Sequence, residues 1–321
     1  MKTDKADAVK IARYALDNWA DLRDYTPMDT IRYDLKTLNR QFQLASKQRT
    51  ASANNLIALL EQSFPGIRKC FDSPVRSDGT QKWVDFVHTF WHVECVRKQS
   101  LNAFSERYRK WCKRHGYIFK QGNAVEVYSL AKNAVVLVPK PEVTKVLVQE
   151  AANQLTSISR SVETYRAEME RLASMLPEYP VVMEMYGVGK SFGPQLMAEI
   201  GDVRRFERKQ SLVAFAGIDP IPNQSGDKNV RSNKSSKRGS PYLRKTLFNV
   251  MGIYLKCSPQ DEPVYQFLDH KRSEGKPFYV YMTAASNKFL RRYYAKVRDY
   301  LATLEDLSPV DMDSTGLQTL D

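Results

Sequence analysis

One long amphipathic stretch decides the fold of this chain. It covers residues 30–62 and reads TIRYDLKTLNRQFQLASKQRTASANNLIALLEQ. Its leucines recur at helical spacing, which predicts a single long helix, and Ser63-Phe64-Pro65-Gly66 ends it because proline and glycine interrupt helices. A second stretch, residues 142–175, carries a similar apolar stripe. Together they predict a coiled-coil-like helical arm, in which the stripes pair within one chain or between two chains.

The rest of the chain is also predicted to be helical. Residues 5–19 have apolar side chains at helical spacing, and the aromatic-rich region 67–140 is expected to form mostly helices. After Pro177 and Pro180 the chain is compact and punctuated by glycine. The acidic tail from Ala302 contains no lysine or arginine and is predicted to be disordered. The expected fold class is mainly α.

Composition and charge narrow the function classes. The 321 residues suffice for two domains, and 49 lysines and arginines against 36 acidic residues give a formal charge of +13. This surplus favours a polyanionic partner such as nucleic acid. No signal peptide or membrane-spanning stretch is evident, and the four cysteines are scattered. A cytoplasmic, reducing location without a membrane partner is expected.

A glycine-rich turn opens the C-terminal segment. Gly187 and Gly189 precede an amphipathic run at residues 194–200 and allow a tight turn between two helices. The free amides of the second helix could hold a DNA phosphate, as in a helix-hairpin-helix-like turn. The other interpretation is that the glycines serve the turn alone.

A Ser-Gly pair begins a basic loop further along the chain. Ser225 lies beside Gly226, and the cations Lys237, Arg238 and Arg244 follow. Phosphoryl transfer needs a nucleophile and positive charge on the non-bridging oxygens. Ser225 could attack a DNA phosphate while these three cations contact it. Alternatively, Ser225 is a turn residue and the cations are solvated.

Many motif residues of this segment share their order and spacing with one protein family. They are Tyr186-Gly187-Val188-Gly189, Glu199-Ile200-Gly201-Asp202, Phe206, Phe215-Ala216-Gly217, Pro220, Ser225-Gly226, Ser236-Lys237-Arg238-Gly239 and Leu243-Arg244. The segment resembles the C-terminal domain of the insertion-sequence-110 transposases, also called bridge-RNA-guided recombinases. The resemblance implies that Ser225 is the nucleophile of a covalent serine–DNA intermediate. It also implies a homo-oligomer, a dimer or tetramer, that uses a structured guide RNA to choose its DNA.

The start of the chain, residues 2–8, resembles the end of the RuvC-like (RNase H-like) domain of the same family. Asp4 and Asp7 match the last two of four acidic metal ligands, and their spacing places both carboxylates on one helical face. The resemblance therefore implies Mg²⁺ as cofactor. The first Asp and the Glu of the family lie upstream, so the chain is expected to carry only a remnant of this domain. The alternative role of Asp4 and Asp7 is helix capping.

Two other groups of residues suggest different chemistry. His88, His92 and Cys95 share helical spacing, and Cys112 and His115 follow. Such nitrogen and sulfur ligands can hold zinc, and the alternative is a helix face with two core histidines and an unrelated Cys–His pair. Cations at residues 107–114 interleave with aromatics, a pattern that suits RNA if the aromatics are exposed and a hydrophobic core if they are not.

These observations predict a DNA transposase or recombinase of an insertion sequence, incomplete as written. The competing predictions are a non-catalytic DNA- or RNA-binding relic and a zinc-stabilised structural module. The predicted segments are the RuvC-like remnant with the first arm helix (1–66), an aromatic and basic helical insert (67–141), a coiled-coil-like helix (142–176), the helical C-terminal transposase domain (177–304) and the acidic tail (305–321).

Overall fold

Helices dominate the structure. The computed structural model describes residues 4–19, 28–137, 142–220, 224–225, 228–229 and 235–306. In these ranges the α-helices are α1 (Asp4–Asp17), α2 (Thr30–Ser63), α3 (Lys82–Thr89), α4 (Glu94–Arg97), α5 (Leu101–Arg114), α6 (Gln121–Asn133), α7 (Glu142–Ser174), α8 (Tyr179–Met183), α9 (Gly189–Ile200), α10 (Lys209–Ala216), α11 (Pro241–Cys257), α12 (Pro263–Ser273) and α13 (Phe278–Asp306). Two short antiparallel strands are β1 (Gln224–Ser225) and β2 (Lys228–Asn229). The mainly α prediction is confirmed.

The two long helices of the predicted arm pack on each other within one chain. Their apolar stripes meet in antiparallel fashion, because Leu35 shares a core with Leu172 while Leu56 shares another with Val148. Asp29 caps the start of α2, because its side chain accepts a hydrogen bond from the Arg32 amide at 2.9 Å. The pairing of α2 with α7 is therefore intramolecular in the described chain.

Each half of this arm belongs to a different hydrophobic core. The first core joins the N-terminal half of α2 and the C-terminal half of α7 to helices α8–α13. The second core joins the other halves to α3–α6 and the 3₁₀ helix Ile67–Cys70. The arm thus links two separately packed regions, while the five-segment division made from sequence stays a prediction.

The second core is built from stacked and edge-on aromatic rings. The rings of Phe86 and Phe90 stack at 4.7 Å between centroids, and Trp111 meets Phe86 edge-on at 5.7 Å. Tyr108 and Trp111 are buried, while Arg107 and Lys110 on the other face of α5 are exposed. The aromatics of α5 are core residues, so of the two alternatives the hydrophobic core holds for Tyr108 and Trp111. The cationic face of the helix remains available.

The candidate zinc residues do not share one helix. Helix α3 ends at Thr89 and α4 begins at Glu94, so His88 and Cys95 lie on different elements. His92 lies in the connection between them, where its Nδ1 accepts a hydrogen bond from the Glu94 amide at 3.2 Å. The helical spacing inferred from sequence is wrong because Phe90 leaves the helical conformation.

The last helix extends further than its sequence suggested. Helix α13 continues to Asp306, and Glu305 forms an ion pair with Arg204 at 2.5 Å. The disorder predicted from Ala302 is therefore wrong up to residue 306, because acidic residues here find a cation on a neighbouring element. The remaining tail residues lie outside the described part of the chain.

Helix α1 makes little contact with the rest of the protein. None of its described residues is buried, and Ile11 and Leu16 are 70% and 76% exposed. Trp19, just after the helix, is equally exposed. Among the helices of the described ranges, none has both the length and the apolar character needed to cross a bilayer.

Candidate active-site loop

Ser225 lies in a loop whose two ends are joined by backbone hydrogen bonds. The loop leaves α10, contains the β1–β2 hairpin and returns at the start of α11. Its base is closed by an isolated bridge between Pro220 and Ser235. Three amide-to-carbonyl bonds continue the closure: Ser236 to Asp219 (2.9 Å), Lys237 to Gly217 (3.0 Å) and Ser240 to Phe215 (3.0 Å). The stem of the loop is therefore fixed to the end of α10.

Gly239 makes this closure sterically feasible. A Cβ at this position would lie 1.8 Å from the carbonyl oxygen of Phe215, far inside van der Waals contact. Only glycine lets the returning chain pass so close to the end of α10. The Ser-Lys-Arg-Gly motif therefore has a structural reason for its final residue.

Within the loop, Ser225 ends strand β1. It pairs in register with Lys228 of β2, and Gln224 pairs with Asn229, so the predicted nucleophile lies at the turn end of a two-stranded hairpin. Gly226, Arg231 and Lys234 lie outside the described residues. The structure thus places Ser225 in a hairpin between α10 and α11.

The three predicted phosphate contacts differ in their surroundings. Lys237 and Arg238 are exposed at the base of the loop. Arg244 is partly buried, and its Nη1 donates to the carbonyl oxygens of Ala216 and Gly239, both at 3.0 Å. Arg244 therefore holds the loop stem against α10, a contact that its charge alone did not reveal. Whether any of these cations contacts phosphate stays a prediction.

A buried carboxylate ties the loop to the arm. Glu199, at the end of α9, is 1% exposed, and its Oε2 accepts hydrogen bonds from Ser240 Oγ at 2.7 Å and Arg40 Nη2 at 3.1 Å. Its Oε1 accepts from Asn39 Nδ2 at 2.7 Å. Ser240 also caps α11 by accepting from the Leu243 amide. One carboxylate thus fixes α2, α9 and the first turn of α11 together.

A second polar contact lies one turn further along α2. Gln43 donates to Oε1 of Gln195 at 2.8 Å, and Thr246 Oγ1 lies 3.3 Å from the same oxygen. Lys245 donates to Oε1 of Gln43 at 2.7 Å. We call these two sets of contacts, centred on Glu199 and Gln195, the polar ladder.

Sequence reasoning missed the polar ladder, although it contained a signal. Asn39 and Gln43 occupy buried positions of α2, in line with Leu35 and Phe42. Polar amides at core positions of an apolar stripe indicate a buried hydrogen-bond network. Their partners are 152 and 160 residues away in sequence, so spacing could not identify them.

The predicted glycine turn joins α8 to α9. Gly187 has a φ of +74°, and a Cβ there would lie 3.2 Å from the Tyr254 ring. Gly189 has a φ of +50° and faces open space, next to the exposed Lys190. Gly187 therefore serves the turn and its packing, whereas the start of α9 at Gly189 is accessible. The structure leaves open the prediction that this turn binds phosphate.

The run described as amphipathic from sequence is buried on all sides. Every residue from Gly193 to Ile200 is buried. Helix α9 lies between α2, α7 and α11, so none of its later turns faces solvent. The amphipathic interpretation is wrong because Gln195 and Glu199 find partners inside the protein.

The two predicted metal ligands lie in the first turn of α1. Asp4 and Asp7 are both exposed, and Asp7 lies 3.6 Å from Lys10. Within the described ranges, no three His, Cys, Asp or Glu side chains are close enough to hold a metal ion. This finding covers the zinc candidates as well. That Asp4 and Asp7 are metal ligands therefore stays a prediction, and the described residues do not complete a metal site around them.

Two sequence profiles match separate segments of the chain. The profile of the transposase IS116/IS110/IS902 family matches residues 179–266, which include the loop and most of the polar ladder. The DEDD-type transposase profile of the IS110 family matches residues 1–65. Both describe insertion-sequence transposases. Together they cover slightly less than half of the chain, and they support an IS110-type transposase.

Individual relatives agree with this assignment. The chain is 31% identical over 121 residues to the transposase for insertion sequence element IS1111A of Coxiella burnetii, covering 37% of this chain and 32% of the relative. It is 24% identical over 232 residues to an uncharacterized 44.8 kDa protein of insertion element IS116 from Streptomyces clavuligerus, covering 70% and 54%. It is 30% identical over 132 residues to a pilin gene-inverting protein of Moraxella bovis, covering 41% and 38%. The matches span about a third to a half of these relatives.

Proposed function

We propose that this protein is a DNA transposase or recombinase of an insertion sequence that transfers strands through a covalent bond between Ser225 and DNA. The observation that carries the proposal is the anchored loop. Its stem is closed by backbone bonds, held by Arg244 and tied to the arm through Glu199. A nucleophile needs a fixed support, because misplacement by about 1 Å costs orders of magnitude in rate.

The proposed step is an in-line attack on a phosphodiester. The Ser225 hydroxyl oxygen forms a bond to phosphorus, the bond from phosphorus to a sugar oxygen breaks, and that oxygen leaves as a hydroxyl with the proton. Lys237 and Arg238, exposed at the loop base, would stabilise the charge on the non-bridging oxygens. Arg244 would contribute charge from its fixed position on α11.

The α8–α9 turn is the proposed second contact with DNA. Gly189 leaves the start of α9 open, and the exposed Lys190, 3.9 Å from Glu170, lies next to it. Free amides at a helix start bind phosphate without reading sequence. Gly187 and Gly189 would therefore position the duplex, while the loop carries the chemistry.

A divalent metal is suggested by the DEDD-type profile, and we propose Mg²⁺. Asp4 and Asp7 would supply two carboxylate oxygens, and Mg²⁺ is normally held by one or two carboxylates with water and phosphate oxygens. They are what this chain would contribute of a RuvC-like site, and further ligands would come from outside the described residues.

Guide RNA and self-association belong to the same proposal. The exposed cations on α5, including Lys110, offer a surface for a structured RNA. The exposed apolar side chains of α1, such as Ile11 and Leu16, are compatible with a homo-oligomer, a dimer or tetramer. We expect the protein to act in the cytoplasm, where bacterial chromosomes lie.

One observation favours a second candidate, a non-catalytic DNA- or RNA-binding protein. Asp4 and Asp7 have no third metal-binding side chain near them in the described residues. Under this alternative the loop and the α8–α9 turn bind nucleic acid, and no covalent bond forms.

Trapping a covalent adduct distinguishes the two. Wild type and Ser225→Ala would be incubated with a duplex spanning one end of the element, with and without RNA transcribed from its flanking non-coding DNA. Denaturing gels would detect covalent protein–DNA species, and a filter assay would measure binding. The proposal expects an adduct with wild type alone and similar binding by both proteins. No adduct with wild type, or equal adduct with the variant, would overturn it.

A further inference from the structure

We infer that a groove between α2 and α11 binds the phosphate backbone of the DNA duplex on which the Ser225 loop acts. This inference rests on the proposed function, because it concerns the path of the same DNA. The groove belongs to the arm and the first turns of α11. It extends the contact surface away from the loop towards the second core.

The groove is polar, open and positively charged. Its volume is about 460 Å³, and its lining includes Ser46, Lys47, Arg49, Thr50, Asn54 and Lys245. Three of these side chains are cations, and no carboxylate is among the described lining residues. Arg49 forms an ion pair with Glu163 at 3.3 Å, so Lys47 and Lys245 carry most of the unpaired charge in the groove. Clustered cations of this kind repel one another unless an anion lies between them.

The polar ladder holds one of these cations in place. Lys245 is exposed, yet its Nζ donates to Gln43 at 2.7 Å. Lys47 follows Gln43 by one helical turn, so the two lysines lie along the same side of α2. Their positive charges are therefore directed along the groove before any ligand binds.

The groove continues a cationic surface that starts at the loop. Lys237 and Arg238 are exposed at the loop base, and α11 begins directly after them. Tyr242 lies in the first turn of α11, and the guanidinium of Arg40 on α2 lies over its ring at 3.7 Å. Arg40 is 35% exposed although it pairs with the buried Glu199 at 3.1 Å, and it precedes Lys47 of the groove by about two helical turns on α2. A duplex with one phosphate at the loop would pass along this surface.

The length of the groove fits a short run of phosphates. Lys47 and Asn54 are seven residues apart on α2, which corresponds to about 10 Å along the helix axis. Successive phosphates of one DNA strand advance about 3.4 Å along the duplex axis, so the groove accommodates roughly three. Such contacts give affinity and orientation without sequence preference.

Salt-dependent binding tests this inference on the full chain. Wild type, Lys47→Gln, Lys245→Gln and the double variant would be titrated with a 30-bp DNA duplex of arbitrary sequence. The control is Lys69→Gln, an exposed lysine beyond the far end of α2 with the same loss of charge. Lys47→Arg keeps the charge. Circular dichroism melting would verify that each variant is folded.

The inference predicts weaker binding and a smaller salt dependence. Each groove variant should bind roughly three- to tenfold more weakly, and the slope of log K against log salt should fall by about 0.9 per lysine. Lys69→Gln and Lys47→Arg should bind like wild type. Unchanged affinity and slope in the double variant, or equal loss in the Lys69 control, would overturn the inference.

Two further results separate this inference from the proposed function. A duplex RNA of the same sequence provides a comparison, and a loss confined to RNA would assign the groove to RNA and overturn the inference. If wild type forms no Ser225 adduct but the groove variants still lose DNA binding, the nucleophile proposal fails and the groove assignment stands.

Discussion

The two cores of this protein are both hydrophobic but differ in the polar side chains that they bury. The second core packs aromatic rings, such as Phe86 and Trp111, and keeps its cations on the surface. The first core buries charged and amide side chains, among them Glu178, Glu199 and Gln195. Apolar burial stabilises with little directional demand, whereas buried polar groups must meet their partners in one geometry. The region that carries the candidate loop is therefore the one whose geometry is specified most tightly.

The Arg32–Glu178 ion pair illustrates the desolvation cost of this specific geometry in the first core. Arg32 Nη2 lies 2.5 and 2.7 Å from the two carboxylate oxygens of Glu178, and both side chains are buried. Desolvation of such a pair offsets much of its attraction, so it contributes more to geometry than to net stability. Removing one partner strongly destabilises the protein, because the remaining charge stays buried without its counter-ion.

The largest expected effect comes from breaking this pair. Glu178→Ala leaves Arg32 buried and without its main partner, and should destabilise the protein by about 3–5 kcal/mol. Urea unfolding followed by circular dichroism measures the loss. The matched control is Glu168→Ala, which breaks an exposed pair with Arg171 on the same arm and should cost less than about 1 kcal/mol. Equal losses would mean that burial of the ion pair has no special importance.

A smaller effect is expected at the polar ladder. Glu199→Gln keeps the shape but removes the charge that Arg40, Asn39 and Ser240 contact, and should cost about 1–3 kcal/mol. Because Ser240 starts α11 beside the loop, adduct formation should also slow by roughly tenfold. A filter assay should show unchanged DNA affinity. Loss of stability without any change in adduct rate would contradict the link between ladder and loop.

The second core should respond to substitution without involving the loop. Trp111→Phe removes the hydrogen bond from Nε1 to Thr89 Oγ1 at 3.0 Å and should cost about 1–2 kcal/mol. Hydrogen exchange should increase in α3 and α5 and stay unchanged in α11. If adduct formation fell as much as with Glu199→Gln, the two cores would not be independent.

The smallest expected effect is a pH dependence of the first core. Burial raises the pKa of Asp202, but hydrogen bonds from Arg204 outweigh it, and the net pKa lies below its usual value. A lowered carboxyl pKa contributes stability above the unfolded value near 4, and this stability is lost as pH falls through the folded value. Asp202→Asn should therefore flatten the fall in urea midpoint between about pH 5 and pH 3, by less than about 1 kcal/mol. If the urea midpoint of Asp202→Asn fell between about pH 5 and pH 3 as steeply as that of wild type, Asp202 would not contribute to this pH dependence.

Sequence predicted the helices well where hydrophobic periodicity agrees with residues that cap or end a helix. Helix α2 begins and ends within a residue of its predicted bounds, because Asp29 caps one end and Pro65-Gly66 follows the other. Prediction failed for His88 and Cys95, since helical spacing was assumed through a break at Phe90. Periodicity describes one element at a time and cannot detect such an interruption.

The candidate site was predicted only in part, for a physical reason. Sequence placed Ser225 in a loop, which local turn rules determine. It could not show that Arg244 faces two carbonyl oxygens or that Glu199 contacts α2, because those contacts depend on tertiary packing. Charge and residue type indicate what a side chain can bind, and packing decides which partner it meets.

Mapping the adduct by mass spectrometry tests the central claim most directly. Trypsin cleavage after Lys209 and Lys228 would release one peptide containing two serines, Ser211 and Ser225. After nuclease digestion of trapped wild-type complexes, fragment ions should place the residual nucleotide phosphate on Ser225. A phosphate on Ser211, on another peptide or on none would contradict the assignment of Ser225 as the nucleophile.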